Sequence, residues 1–313
     1  MSTKEIKTIR LRFKHGLGDA VQFGIVLRHL RQQYPQAHIY LETKPGREAL
    51  FRHLVDELHD IKYPWDQWSG DINKYVQFNH CEDTYGTVPT TKVTQCLTKE
   101  FDIGPDPRLY QYSVSISDEA KAAAAKWRAD LGPANVVLIH YEGVSCPQKK
   151  NIPRPLVAEL CGRLVAAGVT PVLLDWGLNK VADNRTIFTP TLPQDSDHVA
   201  AMIEAADLFV GIDSGPAHIA GALDTFSICL WSGFFPGHNF DPCSNVFHYL
   251  TEEAASLAYD AYDVAYFNDH YKYDVWPDLE GMMWELGSVL CELLGAESTR
   301  KENLLANENS PGC

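Results

Sequence analysis

The segment 205–223, AADLFVGIDSGPAHIAGAL, constrains this chain more than any other. Residues 208–212 are a short apolar run with the length of a buried parallel strand. Asp213-Ser214-Gly215-Pro216 breaks the run, and residues 217–223 resume as a small-residue helix. Pro216 suits the first turn of that helix, where no backbone N–H is needed. A strand feeding a helix through such a turn is the building unit of an open α/β sheet. Ligands bind there beyond the carboxyl ends of the strands, and free amides at a helix start favour an anion. A structural turn capped by Ser214 fits the same residues.

The chain of 313 residues is long enough for two domains with separate cores. No apolar run approaches ~18 residues, so no membrane span is expected. The start, MSTKEIKTIRLRF, lacks the apolar stretch of a signal peptide, so none is expected there, and the cytoplasmic expectation comes from the cysteines. Eight cysteines are scattered without a CxxC pair, as expected of reduced thiols rather than a disulfide frame or a zinc site. The net charge is −14 and uneven: residues 251–313 hold 13 Asp/Glu against 3 Lys/Arg, and residues 1–60 hold 7 against 10. So acidic a chain repels nucleic acid, and that class of partner is excluded.

Residues 7–13 alternate apolar and basic side chains and read as a first strand. It runs into Gly16-Leu17-Gly18-Asp19 and a helix over 20–33. Glycines Gly16 and Gly18 let the backbone turn tightly beside a ligand. The turn has neither the third glycine of a dinucleotide fingerprint nor the GK[ST] of a Walker loop. Asp19, at the head of the helix, can cap it or act as a general base. A strand over 38–42, a helix over 48–58 and a strand over 75–78 follow. Trp65 and Trp68 lie in a loop and read as cover for a core edge. Residues 79–83 (NHCED) are metal-like in composition, but neighbours in sequence cannot all face one ion, so they read as a cleft loop.

Residues 101–112 carry the Gly and Pro punctuation of a linker, and an Ala-rich helix over 118–130 precedes a strand over 136–139. The expected division is therefore an amino-terminal domain over 1–116, a carboxyl-terminal domain over 117–295 and a polar tail over 296–313. Lys149 and Lys150 precede Pro153, and either a solvated pair or an anion site fits them. A strand over 170–174 and a helix over 199–206 lead to the central segment, where His218 sits in the first helical turn. Residues 226–231 read as the last parallel strand, followed by a loop over 232–238. Tyr259, Tyr262, Tyr266 and Tyr273 fall near one face of a helix, as expected of packing against the other domain or a homo-oligomer partner. An apolar helix over 279–294 closes the folded part.

Asp-Ser-Gly-Pro-Ala-His-Ile-Ala after an apolar strand resembles the Asp-Thr/Ser-Gly-x-x-His-Leu/Ile-Ala signature of the heptosyltransferase-like glycosyltransferases, family 9. GLGDAVQFGIVLRHLRQQYP is similar to that family's Gly-Asp turn, and KKNIPRPLVAEL to its basic segment. The resemblance implies a GT-B fold: two Rossmann-like α/β domains facing a cleft, with the terminal helix crossing back to the first. It implies a cytoplasmic enzyme of lipopolysaccharide-biosynthesis type that transfers sugar with inversion and without a metal. Asp19 would be the base, Gly16 and Gly18 the turn near the acceptor, and Lys150, Asp213, Ser214, Gly215 and His218 the donor site. No cofactor is implied beyond a nucleoside-diphosphate sugar as donor, with ADP-heptose favoured. The acceptor would be a hydroxyl on a glycan, glycolipid or protein; the first domain is shorter than the family usually has, a departure from the pattern that goes with a lipopolysaccharide-core acceptor. Two other readings fit: a sugar-nucleotide epimerase, and a non-catalytic nucleotide-sugar-binding protein.

Overall fold

The computed structural model describes residues 5–61, 70–78, 92–144, 147–176, 180–231, 243–249 and 279–295. Trp65, Trp68, the loops 79–83 and 232–238, the tyrosine segment 259–276 and the tail 296–313 lie outside them.

Two parallel sheets organise the chain. The first contains β1 (Thr8–Phe13), β2 (His38–Thr43), β3 (Glu57–Asp60) and β4 (Ile72–Tyr75), in the order β3-β2-β1-β4. The second contains β5 (Val136–His140), β6 (Thr170–Leu173), β7 (Leu208–Ile212), β8 (Ser227–Leu230) and β9 (Val246–Tyr249), in the order β6-β5-β7-β8-β9. All described pairings are parallel, as in Ile9↔Ile39 and Ile139↔Val210. Every residue of β5, β7 and β8 is buried, which explains their unbroken apolar runs. In each sheet the chain reverses direction once, about β1 in the first and about β5 in the second. Open α/β sheets have a crevice beyond the carboxyl ends of strands at such switch points. The Gly16 turn follows β1; His140 ends β5 and Asp213 follows its neighbour β7.

The described helices are α1 (Leu17–Gln33), α2 (Glu48–Phe51), α3 (Lys92–Gln95), α4 (Asp118–Asp130), α5 (Pro147–Lys150), α6 (Arg154–Ala166), α7 (Ser196–Ala205), α8 (Gly215–Ala220) and α9 (Leu279–Leu293). α1 starts at Leu17, ahead of the expected position 20, because Asp19 reaches back to the Gly16 amide and closes the first turn (3.0 Å). The helix expected over 48–58 stops at Phe51. The Asp56 carboxylate accepts from the Ile39 amide (2.8 Å) and pairs with Arg31 (2.6 Å), which ties the chain to β2 and lets residues 57–60 add a strand. β4 lies three residues earlier than expected, and β9 follows the strand expected to be last.

The expectation that the terminal helix crosses back to the first domain is corrected by its packing. Met283, Leu286 and Leu290 of α9 are buried in one cluster with Val157, Leu160 and Leu164 of α6. Arg163 of α6 stacks on Trp284 (3.8 Å) and donates to Ser288 Oγ (3.0 Å), and Asn135 donates to the Leu294 carbonyl (3.0 Å). The apolar face of α9 is thus satisfied on the second sheet's own helix layer.

The two sheet units are also joined through α7. The Ser196 amide donates to the Gly46 carbonyl (2.8 Å), and Asp197 pairs with Arg52 and accepts from the Ser117 amide (2.8 Å). No helix among the described residues is long and apolar enough to cross a membrane.

Candidate active site

Asp19 is the third residue of α1, so the turn that starts the helix fixes its carboxylate. One oxygen accepts from the Gly16 amide, and the other meets the buried Lys92 ammonium of α3 at 2.7 Å. Burial pushes the carboxyl up, but the Lys92 charge and hydrogen bond, the Gly16 amide and His15 outweigh it and hold Asp19 below its ordinary value. Asp19 is therefore ionised at neutral pH. Beside it, buried Arg47 donates one nitrogen to the His15 carbonyl (2.7 Å), while its Nη1 has no hydrogen-bond partner among the described residues. Burial lowers that guanidinium to about 10, against the pull of Asp19.

On the second sheet, Asp213 is 7 % exposed and its Oδ2 pairs with Lys150 Nζ at 2.7 Å. Lys150 also donates to the Asp213 carbonyl (3.2 Å). Burial opposes ionisation of Asp213, yet His218 and Lys150 together bring its carboxyl down to about 2. Ser214 does not cap α8 with its side chain: its hydroxyl hydrogen-bonds His140 Nδ1 (2.8 Å). Burial lowers His140 to about 4, so this imidazole is neutral. α8 runs over Gly215–Ala220, starting two residues before the expected 217 and stopping three before 223. Lys150 is the strong positive element of this turn.

The two turns touch. A Cβ built at Gly215 would stand 2.6 Å from the Leu17 side chain, and one at Gly18 would stand 2.6 Å from His218 Cδ2 and 2.9 Å from its Nε2. Glycine at 215 is thus needed for the approach of Leu17. Glycine at 18 makes room for the imidazole. His218 is buried, with Nδ1 3.2 Å from the Tyr112 hydroxyl and Nε2 3.8 Å from Asp213 Oδ1. Burial lowers its pKa, with Asp213 pulling the other way. Glu142, the other carboxylate near this edge, is committed to Arg154 (3.0 Å) and Lys180.

Comparison with known proteins fits this geometry. The family description "Glycosyltransferase family 9 (heptosyltransferase)" matches residues 189–245, which span β7, the Asp213 turn and α8. Over those residues the chain is similar to glycosyltransferase family 9. Its fold is shared with the family 9 glycosyl transferase from Veillonella parvula at 14 % identity, covering 82 % of this chain and 90 % of that one, with a TM-score of 0.64. It is also shared with E. coli ADP-heptose LPS heptosyltransferase II at 16 % identity, with 90 % and 99 % covered and a TM-score of 0.61. The iron-containing dodecameric glycosyltransferase TibC from enterotoxigenic E. coli is similar over 96 % of this chain and 78 % of its own, at 14 % identity and a TM-score of 0.61. These likenesses establish the two-unit GT-B fold. No curated protein matches the sequence.

Of the residues singled out from sequence, Asp19, Gly16 and Gly18 fall on one side of the contact, and Lys150, Asp213, Ser214, Gly215 and His218 on the other. Sequence reasoning missed Lys92, Arg47, His140 and Tyr112. His140 left a trace, as the polar end of a buried strand beside the switch point. Lys92 left none, since its role depends on where α3 lands against α1. Among the described residues, no group of three or more His, Cys, Asp or Glu could hold a metal ion.

Proposed function

We propose that this chain is a family 9 glycosyltransferase and moves a sugar, heptose favoured, from a nucleoside diphosphate to an acceptor hydroxyl, with inversion and without a metal ion. The observation that carries the reading is the contact between the Asp19 turn and the Asp213 turn, one from each sheet. A transfer between two bound substrates needs a base on one side of a cleft and charge stabilisation on the other. The acceptor belongs with residues 1–116 and the donor with residues 117–295. ADP-heptose is favoured because similar folds include an ADP-heptose LPS heptosyltransferase and TibC in complex with ADP-D-beta-D-heptose.

The acceptor oxygen attacks the anomeric carbon opposite the diphosphate, and the bond from that carbon to the diphosphate oxygen breaks. Asp19 takes the hydroxyl proton as the new bond forms. Lys92 keeps Asp19 ionised and limits its basicity, so the acceptor hydroxyl must share the carboxylate with the ammonium. Lys150 faces the departing diphosphate and offsets its growing charge, with the Ser214–Gly215 turn and His218 beside it. Asp213 holds Lys150 in place.

The test incubates the full chain with ADP-heptose and candidate glycan, glycolipid and protein acceptors, with and without a chelator. ADP release that requires acceptor, inverts the anomeric carbon and ignores the chelator supports the reading. Failure to bind ADP-heptose overturns the donor assignment. One observation favours a second reading, a protein that binds the donor without transferring it: both Asp19 oxygens are already engaged. Such a protein would bind ADP-heptose and release no ADP with any acceptor.

A further inference from the structure

His218 stands between the two turns, and its partner on the other ring nitrogen comes from neither. Tyr112 belongs to the segment joining the first unit to α4, and it is buried in the core that both units share. Its hydroxyl lies 3.2 Å from His218 Nδ1, with ring centroids 5.7 Å apart and planes tilted by 54°. The opposite edge of the imidazole, Cδ2 and Nε2, lies against Gly18 and 3.8 Å from Asp213 Oδ1. The neighbouring segment is fixed as well: the Gln111 carbonyl accepts from Arg28 of α1 (2.9 Å) and the Ser115 amide donates to Ala49 (2.7 Å).

We propose that Tyr112 is a positioning residue for the donor site: its hydroxyl donates to His218 Nδ1 and so holds the imidazole in the tautomer that carries its proton on Nε2, on the edge that meets Gly18 and Asp213. In a neutral imidazole one nitrogen donates and the other accepts, and the bond made by one decides the state of the other. A carboxylate only accepts, so Asp213 favours a proton on Nε2, and Nδ1 is then left to accept from the phenol. The proton on Nε2 then lies against Gly18 and toward Asp213 Oδ1, at the contact of the two turns, and on the donor-site reading it is a neutral donor offered to the diphosphate. The reverse tautomer would turn a lone pair toward that anion. Because Tyr112 lies on the connecting segment, the donor turn is set correctly only while that segment is seated against α1.

The inference rests on the reading of the Asp213–His218 turn as the donor site, and its test separates the two. The full-length protein is labelled with 15N-histidine, and the His218 signals are assigned with His218→Gln. Wild type is expected to show the Nε2–H tautomer with a hydrogen-bonded Nδ1, and Tyr112→Phe a mixture of tautomers. ADP affinity, measured by calorimetry, should fall in Tyr112→Phe by roughly 2- to 12-fold, the effect of one ordinary hydrogen bond. A wild-type spectrum with the proton on Nδ1 overturns the proposal without any variant. So does a Tyr112→Phe protein with the wild-type tautomer and wild-type ADP affinity, for then the phenol only fills the core. If the tautomer changes as expected and neither protein binds ADP, the positioning role stands and the donor-site reading falls.

Discussion

The Nε2 edge of His218 lies so close to Gly18 that a methyl group at position 18 would stand 2.6 Å from the ring. With Leu17 against Gly215, this contact joins the turn that carries Asp19 to the turn that carries Asp213. The predictions below test each side of it.

Asp19→Asn keeps the shape of the side chain and an oxygen for the Gly16 amide, but it cannot take a proton. Transfer at saturating donor should fall by roughly 10²–10⁴, with donor affinity from calorimetry nearly unchanged. Wild-type transfer would reduce Asp19 to a helix cap.

Lys92→Met removes the cation that does most to hold the Asp19 carboxyl down. Burial, which pushes the other way, then gains weight, so the Asp19 pKa rises. The acid limb of the kcat/KM profile should move to higher pH. An unmoved limb would mean that Asp19 is not the group titrating there.

Lys150→Ala should weaken ADP binding by about 1.5–3 kcal/mol, the range for a hydrogen bond to a charged group. It also leaves Asp213 buried without its cation, and breaking a buried pair costs about 3–5 kcal/mol of stability. The double variant Lys150→Ala/Asp213→Asn should therefore recover much of the lost Tm without recovering ADP affinity. Parallel recovery of both would show that Lys150 acts only by stabilising the turn.

Asp213 also sets an acid limit on stability. Its carboxyl is lowered to about 2 in the folded chain from about 3.9 when unfolded. The folded state thus gains on the order of 2 kcal/mol above pH 4, lost as pH falls through the folded value. Chemical denaturation between pH 5 and 2 should show a shallower acid loss in Asp213→Asn than in wild type.

Gly215→Val should drive a branched side chain into Leu17 and lower both stability and donor affinity. Pairing Gly215→Ala with Leu17→Ala should restore most of the Tm that Gly215→Ala loses. If Gly215→Ala loses none, Leu17 is not the constraint on that glycine.

Much of the fold could be read from local pattern. Strands β1, β2, β5 and β7 and helix α4 follow from apolar runs, alternation and an Ala-rich stretch, because each is decided by its own residues. Where distant contacts decided, the pattern failed. Residues 57 and 58 left a helical reading because Asp56 binds the Ile39 amide, and β9 joined the sheet by pairing with β8. The site divides in the same way. Asp19, Lys150, Asp213 and His218 stand in recognisable turns. Lys92 and Tyr112 reach the site only through tertiary packing, and nothing in their own neighbourhoods announces it.

The fit of Leu17 into Gly215 and of Gly18 against His218 has a consequence for hybrid enzymes. Exchanging amino-terminal halves between relatives while keeping the carboxyl-terminal half would test which half sets acceptor choice. A chimera that brings in any side chain at position 18 would meet the host's imidazole before either substrate could bind. A workable graft must carry glycine at 18 and a side chain of leucine's size at 17, or change 218 and 215 in the same step. The junction between halves is thus set by these four residues, far from the peptide bond where the sequences would be spliced.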